Sequence, residues 1–186
     1  MIVILSGVSG AGKDTIKRIL MGKDGRIKTL PSYTTREKRV NEIEGQNYYY
    51  VSKEKFKEMI DNNEFYEYSV HHGNYYGTNK KLLNERIKNN IVLKDIDVNG
   101  TEDLLKIFRG TEIKIISIFL NISKEEMLRR LENREDKLKQ EEIELRMNRY
   151  DYEMNHIGIY DYVIKNYDAE KTSNIILDII KREQEQ

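Results

Sequence analysis

The chain has 186 residues, which is enough for one domain with a buried core. Hydrophobic residues make up 38% and charged residues 34%, a composition that excludes a disordered chain and favours a globular protein. Lys and Arg number 32, as do Asp and Glu, so the net charge of zero argues against a nucleic-acid polymer as partner. The sequence has no cysteine, which excludes disulfides, cysteine-bound zinc and thiol chemistry.

Short apolar, β-branched runs alternate with helical patterns along the chain. Buried strands are predicted where the apolar runs lie, at residues 1–5, 91–97, 112–120 and 162–164. Helices are predicted at residues 14–21, 53–62, 80–89, 101–108, 124–133, 141–153 and 169–182. Strands that alternate with helices indicate an α/β fold with a parallel sheet, and continuous apolar strands suit a sheet that is buried on both faces.

The first apolar run, residues 1–5, has neither the length nor the basic start of a signal peptide. No other run approaches the length of a transmembrane helix. We therefore expect a cytoplasmic protein that does not associate with a membrane.

Residues 32–76 depart from the alternating pattern. They contain the half-polar segments SYTTR, NYYYVS, FYEYSV and NYYGT, whose Tyr and Thr residues are typical of strands with one exposed face. The segment is either an edge hairpin with exposed tyrosines or a small substrate-binding subdomain with strands of its own. Periodicity alone does not separate these two interpretations.

The sequence GVSGAGKDT follows the first predicted strand, at residues 7–15. The pattern G-x-x-x-x-G-K between a strand and a helix indicates a phosphate-binding loop, in which glycines let successive backbone N–H groups point at an anion. The helix N-terminus adds partial positive charge, and Lys13 can reach the β- and γ-phosphates of a nucleotide. The predicted nucleotide-binding residues are Ser9, Gly10, Ala11, Gly12, Lys13, Asp14 and Thr15.

Asp14 occupies the position after the loop lysine, where a Ser or Thr hydroxyl usually binds Mg²⁺. A carboxylate is also a hard oxygen ligand, so Asp14 is a candidate metal ligand. It lies in the first turn of a predicted helix as well, where a negative charge is stabilising. The two roles do not exclude each other.

Two acids, Asp95 and Asp97, end the strand predicted at residues 91–97. The carboxyl ends of parallel strands face the crevice where open α/β sheets bind ligands, and residues two apart in a strand point to the same side. The pair is either a solvated strand end or a site that holds Mg²⁺ or accepts hydrogen bonds from a substrate. The neighbouring phosphate loop favours the second interpretation.

Four longer segments occur in the order and spacing found in guanylate kinases, namely SGVSGAGKDT, SYTTREKRVNEIEGQNYYYVS, NNEFYEYSVHHGNYYGT and KDIDVNG. The chain resembles this family closely over roughly its first 100 residues and more loosely through LRRLENR, the helix around Arg146 and DYVIKN. The resemblance implies a P-loop NTPase fold, a three-layer α/β/α arrangement with a parallel sheet, plus a small mixed β/α NMP-binding subdomain and a helical lid. Within this single domain it assigns the core to residues 1–31, 77–122 and 153–186, the NMP-binding subdomain to 32–76 and the lid to 123–152.

The resemblance also implies an activity, which is Mg²⁺-dependent transfer of a phosphoryl group from ATP to GMP, and to dGMP, giving the diphosphate and ADP. In such a reaction an oxygen of the GMP phosphate attacks, so no side chain need serve as nucleophile. Glu67 and Thr78 match positions that read the guanine edge, and Asp97 adds a contact to the 2-amino group. The residues that match GMP-binding positions are Ser32, Arg36, Arg39, Glu42, Tyr48, Glu67, Tyr76, Thr78 and Asp97.

The catalytic residues that the resemblance implies bring positive charge to the moving phosphoryl group. They are Lys13, Arg36, Arg130, Arg134 and Arg146. Asn166 matches a position near the adenine of ATP, and Asp95 one near the metal. The arginines of residues 123–152 also fit a charged helical pair that is held by i,i+4 salt bridges.

Two other functions are alternatives. One is a kinase of another small phosphorylated acceptor, such as ribose 1,5-bisphosphate, since enzymes of that type also carry GKD loops; Glu67, Tyr76 and Thr78 argue against it. The other is a non-catalytic binding module with a guanylate-kinase-like fold. The intact glycines and Lys13 argue against the module, because such domains have degraded phosphate loops.

Overall fold

The computed structural model of the protein describes residues 1–40, 42–71, 73–133 and 138–185. The strands are β1 (Ile2–Gly7), β2 (Ile27–Thr29), β3 (Ser32–Thr34), β4 (Tyr48–Tyr50), β5 (Phe65–His71), β6 (Asn74–Asn79), β7 (Ile91–Asp95), β8 (Ile115–Asn121) and β9 (Tyr162–Lys165). The helices are α1 (Lys13–Lys23), α2 (Lys53–Asp61), α3 (Lys80–Ile87), α4 (Val98–Phe108), α5 (Lys124–Glu132), α6 (Gln140–Asn155) and α7 (Ala169–Glu185), with a short 3₁₀ helix at Ile157–Ile159.

These elements form two sheets in the part of the chain that the structure describes. The larger is a five-stranded parallel sheet in the order β2-β7-β1-β8-β9, and the smaller has the order β4-β3-β6-β5. In the smaller sheet β3 pairs with β4 in parallel, whereas β6 is antiparallel to both β3 and β5. The α/β fold with a parallel sheet, predicted from the sequence, is confirmed.

The three central strands of the larger sheet, β7, β1 and β8, read as largely apolar runs because both of their faces are buried. Every residue of β1 is buried, and so are the first four residues of β7. In β8, residues 116–120 are buried. The apolar runs in the sequence therefore mark the centre of this sheet.

The chain divides into two compact units. The first consists of Met1–Ile2 and Arg26–Ile115, and the second of Val3–Gly25 and Ile116–Gln186. Within the first unit, one face of the smaller sheet packs on a separate hydrophobic core formed by Phe56, Met59 and Phe65 with the partly buried Tyr33, Val51, Ile60 and Tyr75. The division into core, NMP-binding subdomain and lid stays a prediction.

The strand predicted at residues 91–97 is wrong in its last two residues, because β7 ends at Asp95. Asp97 is instead the N-cap of α4, and its Oδ1 accepts a hydrogen bond of 3.0 Å from the backbone N–H of Gly100. A carboxylate suits this position because the first N–H groups of a helix have no partner within the helix. Asp95 and Asp97 therefore do not share the face of one strand.

Strand β2 has no counterpart among the sequence predictions. It has three residues, of which only Ile27 is buried, so it offers no apolar run to recognise. Its pairing with β7, from Ile27 opposite Ile91 to Thr29 opposite Leu93, places it in the sheet. None of the helices in the described ranges is both long enough and apolar enough to cross a bilayer.

Candidate active site

The phosphate loop between β1 and α1 has a backbone that requires glycine. Gly10 and Gly12 have φ angles of 72° and 90°, in the left-handed region that other residues rarely adopt. Gly7 has a φ of 151°, and a Cβ added there would lie 2.4 Å from the carbonyl oxygen of Leu120. The glycines of the motif therefore serve both the backbone angles of the loop and its close packing on β8.

Lys13 is the first residue of α1, and its Nζ donates a hydrogen bond of 2.9 Å to the carbonyl oxygen of Gly7. The side chain thus runs back along the loop toward its first residue. A cation held there adds to the positive potential of the loop amides and of the helix N-terminus. This arrangement favours an anion at the loop.

Arg130 and Asn166 contact the loop from other elements of the second unit. Arg130 donates to the carbonyl oxygens of Gly10 (3.2 Å) and Asn166 (2.9 Å). Asn166, which is buried, donates from Nδ2 to the carbonyl oxygen of Ala11 at 2.6 Å. These two residues, both among those predicted to contact ATP, therefore lie against the loop that is predicted to bind its phosphates.

Glu126 orients Arg130 from within α5. Its carboxylate accepts from Nε of Arg130 at 2.6 Å and from two nitrogens of Arg129 at 2.7 and 2.8 Å. The hydrogen bonds from Arg129 and then from Arg130 lower the pKa of Glu126 to about 2. Sequence reasoning missed this acid, although its i,i+4 spacing to Arg130 on a predicted helix indicated the contact.

Further residues predicted to contact ATP or its metal ion lie on α1 and α6. Arg146, on α6, donates from Nη1 to Oγ of Ser9 in the loop at 3.0 Å. Asp14 and Thr15 are exposed in the first turn of α1, and the Asp14 carboxylate lies 2.7 Å from Nζ of Lys17. Arg134 lies outside the described residues.

The predicted metal ligands are two separate carboxylates, Asp14 on α1 and Asp95 at the end of β7. Within the described ranges, no group of three or more His, Asp or Glu side chains is arranged to hold a metal ion. A cation bound by a nucleotide needs fewer protein ligands, because Mg²⁺ usually keeps several waters and binds substrate phosphates as well. The chemistry of each carboxylate fits that role, and both assignments stay predictions.

In the first unit, one face of the smaller sheet carries polar side chains. Ser32 in β3 is opposite Tyr48 in β4, and Thr34 is opposite Tyr76 in β6. Because residues two apart point to the same side and cross-strand partners share a face, Ser32, Tyr48, Tyr50 and Tyr76 lie on one surface, here called the tyrosine face. The rings of Tyr48 and Tyr76 meet edge to face, with centroids 5.9 Å apart.

Arg36 lies over the tyrosine face. Its guanidinium carbon is 5.3 Å from the ring centroid of Tyr48, and its Nη2 donates to Oε1 of Glu42 at 2.6 Å. Glu42 also accepts from Tyr50 Oη at 2.8 Å and from the backbone N–H of Arg39 at 2.9 Å. The Arg39 side chain itself is exposed.

The pKa values in this group follow from burial and from these bonds. Burial raises the pKa of Glu42, but hydrogen bonds led by the one from Arg36 outweigh it and lower the value to about 2. Burial and the bond to Glu42 raise the pKa of Tyr50 to about 12. The group is therefore a charged Arg36–Glu42 pair with a neutral tyrosine at neutral pH. Tyr50 was not predicted, although its position two residues after Tyr48 indicated the same face.

Glu67 and Thr78 form a buried pair between β5 and β6. They are direct cross-strand partners, and the Thr78 hydroxyl donates to Oε1 of Glu67. Only 7% of Glu67 is exposed, and burial raises its pKa, while the positive charge of Lys94 acts in the opposite direction. The negative charge of Asp97 also raises this pKa, so the two carboxylates influence each other.

Asp97 has a second partner besides the N–H of Gly100. Its Oδ2 lies 3.1 Å from Nε2 of His71, the last residue of β5. A Cβ on Gly100 would lie 3.2 Å from Oε2 of Glu67, so the start of α4 approaches the Glu67 carboxylate closely. The structure thus brings Glu67, Thr78 and Asp97 together in the first unit. Neither His71 nor Lys94 was predicted as part of a site.

Comparison with known proteins agrees with these features. The family model described as guanylate kinase matches residues 1–183. A guanylate kinase of Prochlorococcus marinus subsp. pastoris is 40% identical over 182 residues, covering 97% of this chain and 96% of its own length. A guanylate kinase of Rickettsia felis is 38% identical over 190 residues, covering 100% of this chain and 95% of its own length.

A solved structure gives the same result. The crystal structure of guanylate kinase from Anaplasma phagocytophilum superposes with a TM-score of 0.80 at 31% identity, and the match covers 100% of this chain and 87% of that one. The family resemblance seen in the sequence is confirmed along the whole chain. The chain belongs to the guanylate kinase family.

Proposed function

We propose that this protein transfers the γ-phosphoryl group of ATP to GMP, giving ADP and GDP. The observation that supports the proposal most strongly is the match of the guanylate kinase family model to residues 1–183. That span includes the glycine loop with Lys13 in the second unit and the buried Glu67–Thr78 pair in the first. Each of these features suits one of the two substrates.

The Glu67–Thr78 pair suits guanine. Guanine presents two neighbouring donors, the N1–H and the 2-amino group, and one carboxylate can accept from both. Adenine has an acceptor at N1 and no 2-amino group, so the buried Glu67 carboxylate would face another acceptor in place of two donors, which costs binding free energy. Asp97, near Glu67, is the second acceptor that we assign to the 2-amino group.

The tyrosine face suits the phosphate of GMP. Arg36 has five N–H donors in a planar fork that matches phosphate oxygens. Its Nη1 donates to the carbonyl oxygen of Glu37 at 2.8 Å and its Nη2 to Glu42, and these bonds use two of the five donors. The hydroxyls of Ser32, Tyr48 and Tyr76 are further donors. Glu42 holds Arg36 at this face, so we assign it a supporting position, and we assign Arg39 to the phosphate as well.

The phosphate loop suits ATP. Its amides and Lys13 bind the β- and γ-phosphates, with Arg130 and Arg146 contributing positive charge and Asn166 lying near the adenine. We assign Mg²⁺ to the same reaction, where it would neutralise charge on the phosphates, and name Asp14 and Asp95 as its candidate carboxylates. Arg134 and Thr15 stay predictions from the resemblance.

The chemistry needs no covalent enzyme intermediate. An oxygen of the GMP phosphate forms a bond to the γ-phosphorus as the bond to the bridging oxygen of ADP breaks, and the charge stays on phosphate oxygens. The protein therefore contributes position and positive charge, from Lys13, Arg36, Arg130 and Arg146. A cytoplasmic location and the lack of a nucleic-acid partner stay predictions.

An assay of ADP release tests the proposal. Purified protein with Mg²⁺ and ATP is offered GMP, dGMP, AMP, UMP or ribose 1,5-bisphosphate. We expect turnover with GMP and dGMP to exceed turnover with the other acceptors. AMP turnover at or above that of GMP would overturn the guanine assignment, and turnover of ribose bisphosphate alone would favour the sugar phosphate alternative.

The variant Lys13→Ala tests the role of the loop. Loss of a cation that stabilises developing charge should lower kcat by about a hundredfold or more. Lys181→Ala removes an exposed lysine of α7 and serves as the matched control, with a rate close to that of the parent. A near-normal rate for Lys13→Ala would remove the loop lysine from the mechanism.

A further inference from the structure

Lys94 is a buried lysine, the fourth of the five residues of the otherwise largely apolar strand β7. Only 1% of the residue is exposed, which places it among the largest fully buried side chains of the described chain. Lysine is almost never fully buried unless polar groups compensate it, because desolvating an ammonium is costly. The contacts of Lys94 therefore indicate what the protein gains from keeping it there.

Two hydrogen bonds of the Lys94 amino group reach the first residue of β3 and the segment just before it. Its Nζ donates to Oγ of Ser32 at 2.5 Å and to the carbonyl oxygen of Leu30 at 3.3 Å. Ser32 is the first residue of β3 and belongs to the tyrosine face, opposite Tyr48. Lys94 thus lies behind this face and reaches one of its hydroxyl groups from the inside.

The bond to Lys94 determines what the Ser32 hydroxyl can do. A serine hydroxyl has one donor and two acceptor positions. Because Lys94 donates to the oxygen, the O–H hydrogen is available to point away from the ammonium and toward an acceptor on the tyrosine face. A donor hydroxyl backed by an ammonium suits a phosphate oxygen and does not suit another donor.

Lys94 also influences Glu67, the residue of the same unit that we assign to the guanine base. Its positive charge favours the ionised form of the buried Glu67 carboxylate, against the effect of burial. An ionised Glu67 is the form that accepts from both guanine donors. Lys94 therefore influences the two groups that we assign to opposite ends of GMP, although it was predicted only as part of a strand.

We propose that Lys94 is a positioning residue for the acceptor nucleotide, which fixes Ser32 as a hydrogen-bond donor to the 5′-phosphate and adds positive charge behind it. This inference rests on the proposed function, because it assumes that the acceptor is a nucleoside monophosphate bound at the tyrosine face. It goes further in naming a buried residue that makes the site select for a phosphorylated acceptor.

The variant Lys94→Met tests the inference, since methionine fills similar space without charge. We expect the KM for GMP to rise by about ten- to a hundredfold, the scale of a lost hydrogen bond to a charged group, with a smaller change in kcat. The affinity for guanosine, measured by calorimetry, should fall less than the affinity for GMP, because guanosine loses only the effect of the Lys94 charge on Glu67, whereas GMP also loses the oriented Ser32 donor. The thermal midpoint should fall somewhat, because the buried Glu67 carboxylate loses the positive charge that partly compensates its burial, and removing one partner of a buried charge pair is destabilising.

A merely structural role of Lys94 predicts a different result, in which Lys94→Met weakens the binding of guanosine and of GMP equally. That outcome overturns the inference. A double-mutant cycle with Ser32→Ala adds a second readout. If Lys94 acts through Ser32, the double variant should bind GMP about as weakly as the weaker single variant, whereas fully additive losses overturn the coupling.

Two different outcomes distinguish failure of the inference from failure of the proposed function. If the parent protein turns over GMP but Lys94→Met keeps the parent KM, the inference is wrong and the proposed function stands. If the parent protein does not use GMP, both are wrong. If Lys94→Met does not fold, Ser32→Ala alone decides, and an unchanged KM for GMP in that variant overturns the inference.

Discussion

Glu67 lowers the stability of the folded protein through burial of its carboxylate, yet the same carboxylate is the group that we assign to guanine. Its carboxylate is almost fully buried, and burial raises its pKa, which means that the folded protein disfavours the charged form. The Thr78 hydroxyl and the charge of Lys94 compensate part of that cost. A glutamine at this position would avoid the cost but would present an N–H₂ donor on one side.

The variant Glu67→Gln should therefore lose guanine selectivity. The amide cannot accept from both the N1–H and the 2-amino group, so we expect the ratio of kcat/KM for GMP over AMP to fall by about ten- to a hundredfold. Steady-state rates with both acceptors measure this ratio. An unchanged ranking of acceptors with an unchanged ratio would refute the role of Glu67, whereas the KM for ATP should stay near that of the parent.

Glu42 gives a prediction for stability against pH. Its pKa is lowered from 4.5 to about 2 in the folded protein, so the stabilisation that it provides is present above pH 4.5 and is lost as the pH falls toward 2. We expect Glu42→Gln to lower the free energy of unfolding by about 1 to 3 kcal/mol at pH 7, and the difference from the parent to shrink below pH 4.5. Urea unfolding at pH 7, 5 and 3 measures it; a difference that grows on acidification would contradict the prediction.

The residues of the site differ in how far the sequence could reveal them. Glu67 and Thr78 stand in segments whose order matches a family, so the amino-acid sequence alone identifies their positions. The partners of Asp97 and Lys94 come from distant segments: His71 is 26 residues before Asp97, and Ser32 is 62 residues before Lys94. A lysine inside an apolar run is indistinguishable from an ordinary strand residue until the fold shows which hydroxyl it reaches.

Among the elements, the loop after β1 depends most on particular residues. Gly7 combines a φ of 151° with a site where a Cβ would meet the backbone of β8 at 2.4 Å. Gly22, in α1, has open space within 4 Å of its added Cβ. Backbone geometry therefore requires glycine at position 7, whereas the helix only tolerates it at position 22.

We expect Gly7→Ala to destabilise the protein by more than about 1 kcal/mol and to lower activity, because neither the angle nor the backbone of Leu120 can adapt easily. Gly22→Ala is the matched control and should stabilise by up to about 1 kcal/mol, since alanine favours a helix. Thermal unfolding of both variants tests the pair. Equal midpoints for the two would show that the loop tolerates a side chain at position 7.

The elements themselves were largely predictable because their patterns are strong and local. The helices after the first strand, at α2, and at α7 follow from apolar periodicity, and the structure places them within a few residues of the predicted bounds. The errors have local causes too. Strand β2 is too short to show a pattern, and Asp97 continues an apolar run while serving as the cap of the next helix.

At the scale of the whole molecule, the two compact units carry different parts of the proposed reaction. The groups assigned to GMP lie in Arg26–Ile115, and the loop assigned to ATP lies in Val3–Gly25, with partners from Ile116–Gln186. A ligand that binds one unit stabilises that unit against local opening. The two substrates should therefore leave distinct patterns of protection.

Hydrogen exchange with mass spectrometry measures these patterns. GMP alone should slow exchange chiefly in peptides of residues 26–115, with β3, β5 and β6 among them. ATP with Mg²⁺ should slow exchange in residues 3–25 and in peptides around Arg130 and Asn166. Protection by GMP that is confined to the second unit would contradict the assignment of the acceptor site. Protein without ligand gives the baseline, and protein with AMP in place of GMP is the control.

The packing of α7 against α1 has a consequence for how the protein comes into being. Lys23 at the end of α1 is bonded to Glu170 at 2.6 Å and to Asn174 at 2.7 Å, both on α7. Translation proceeds from the amino end, so the ribosome makes α1 about 150 residues before it makes α7. A nascent chain that stalls before residue 169 therefore carries the whole glycine motif but lacks the helix that is bonded to the end of α1.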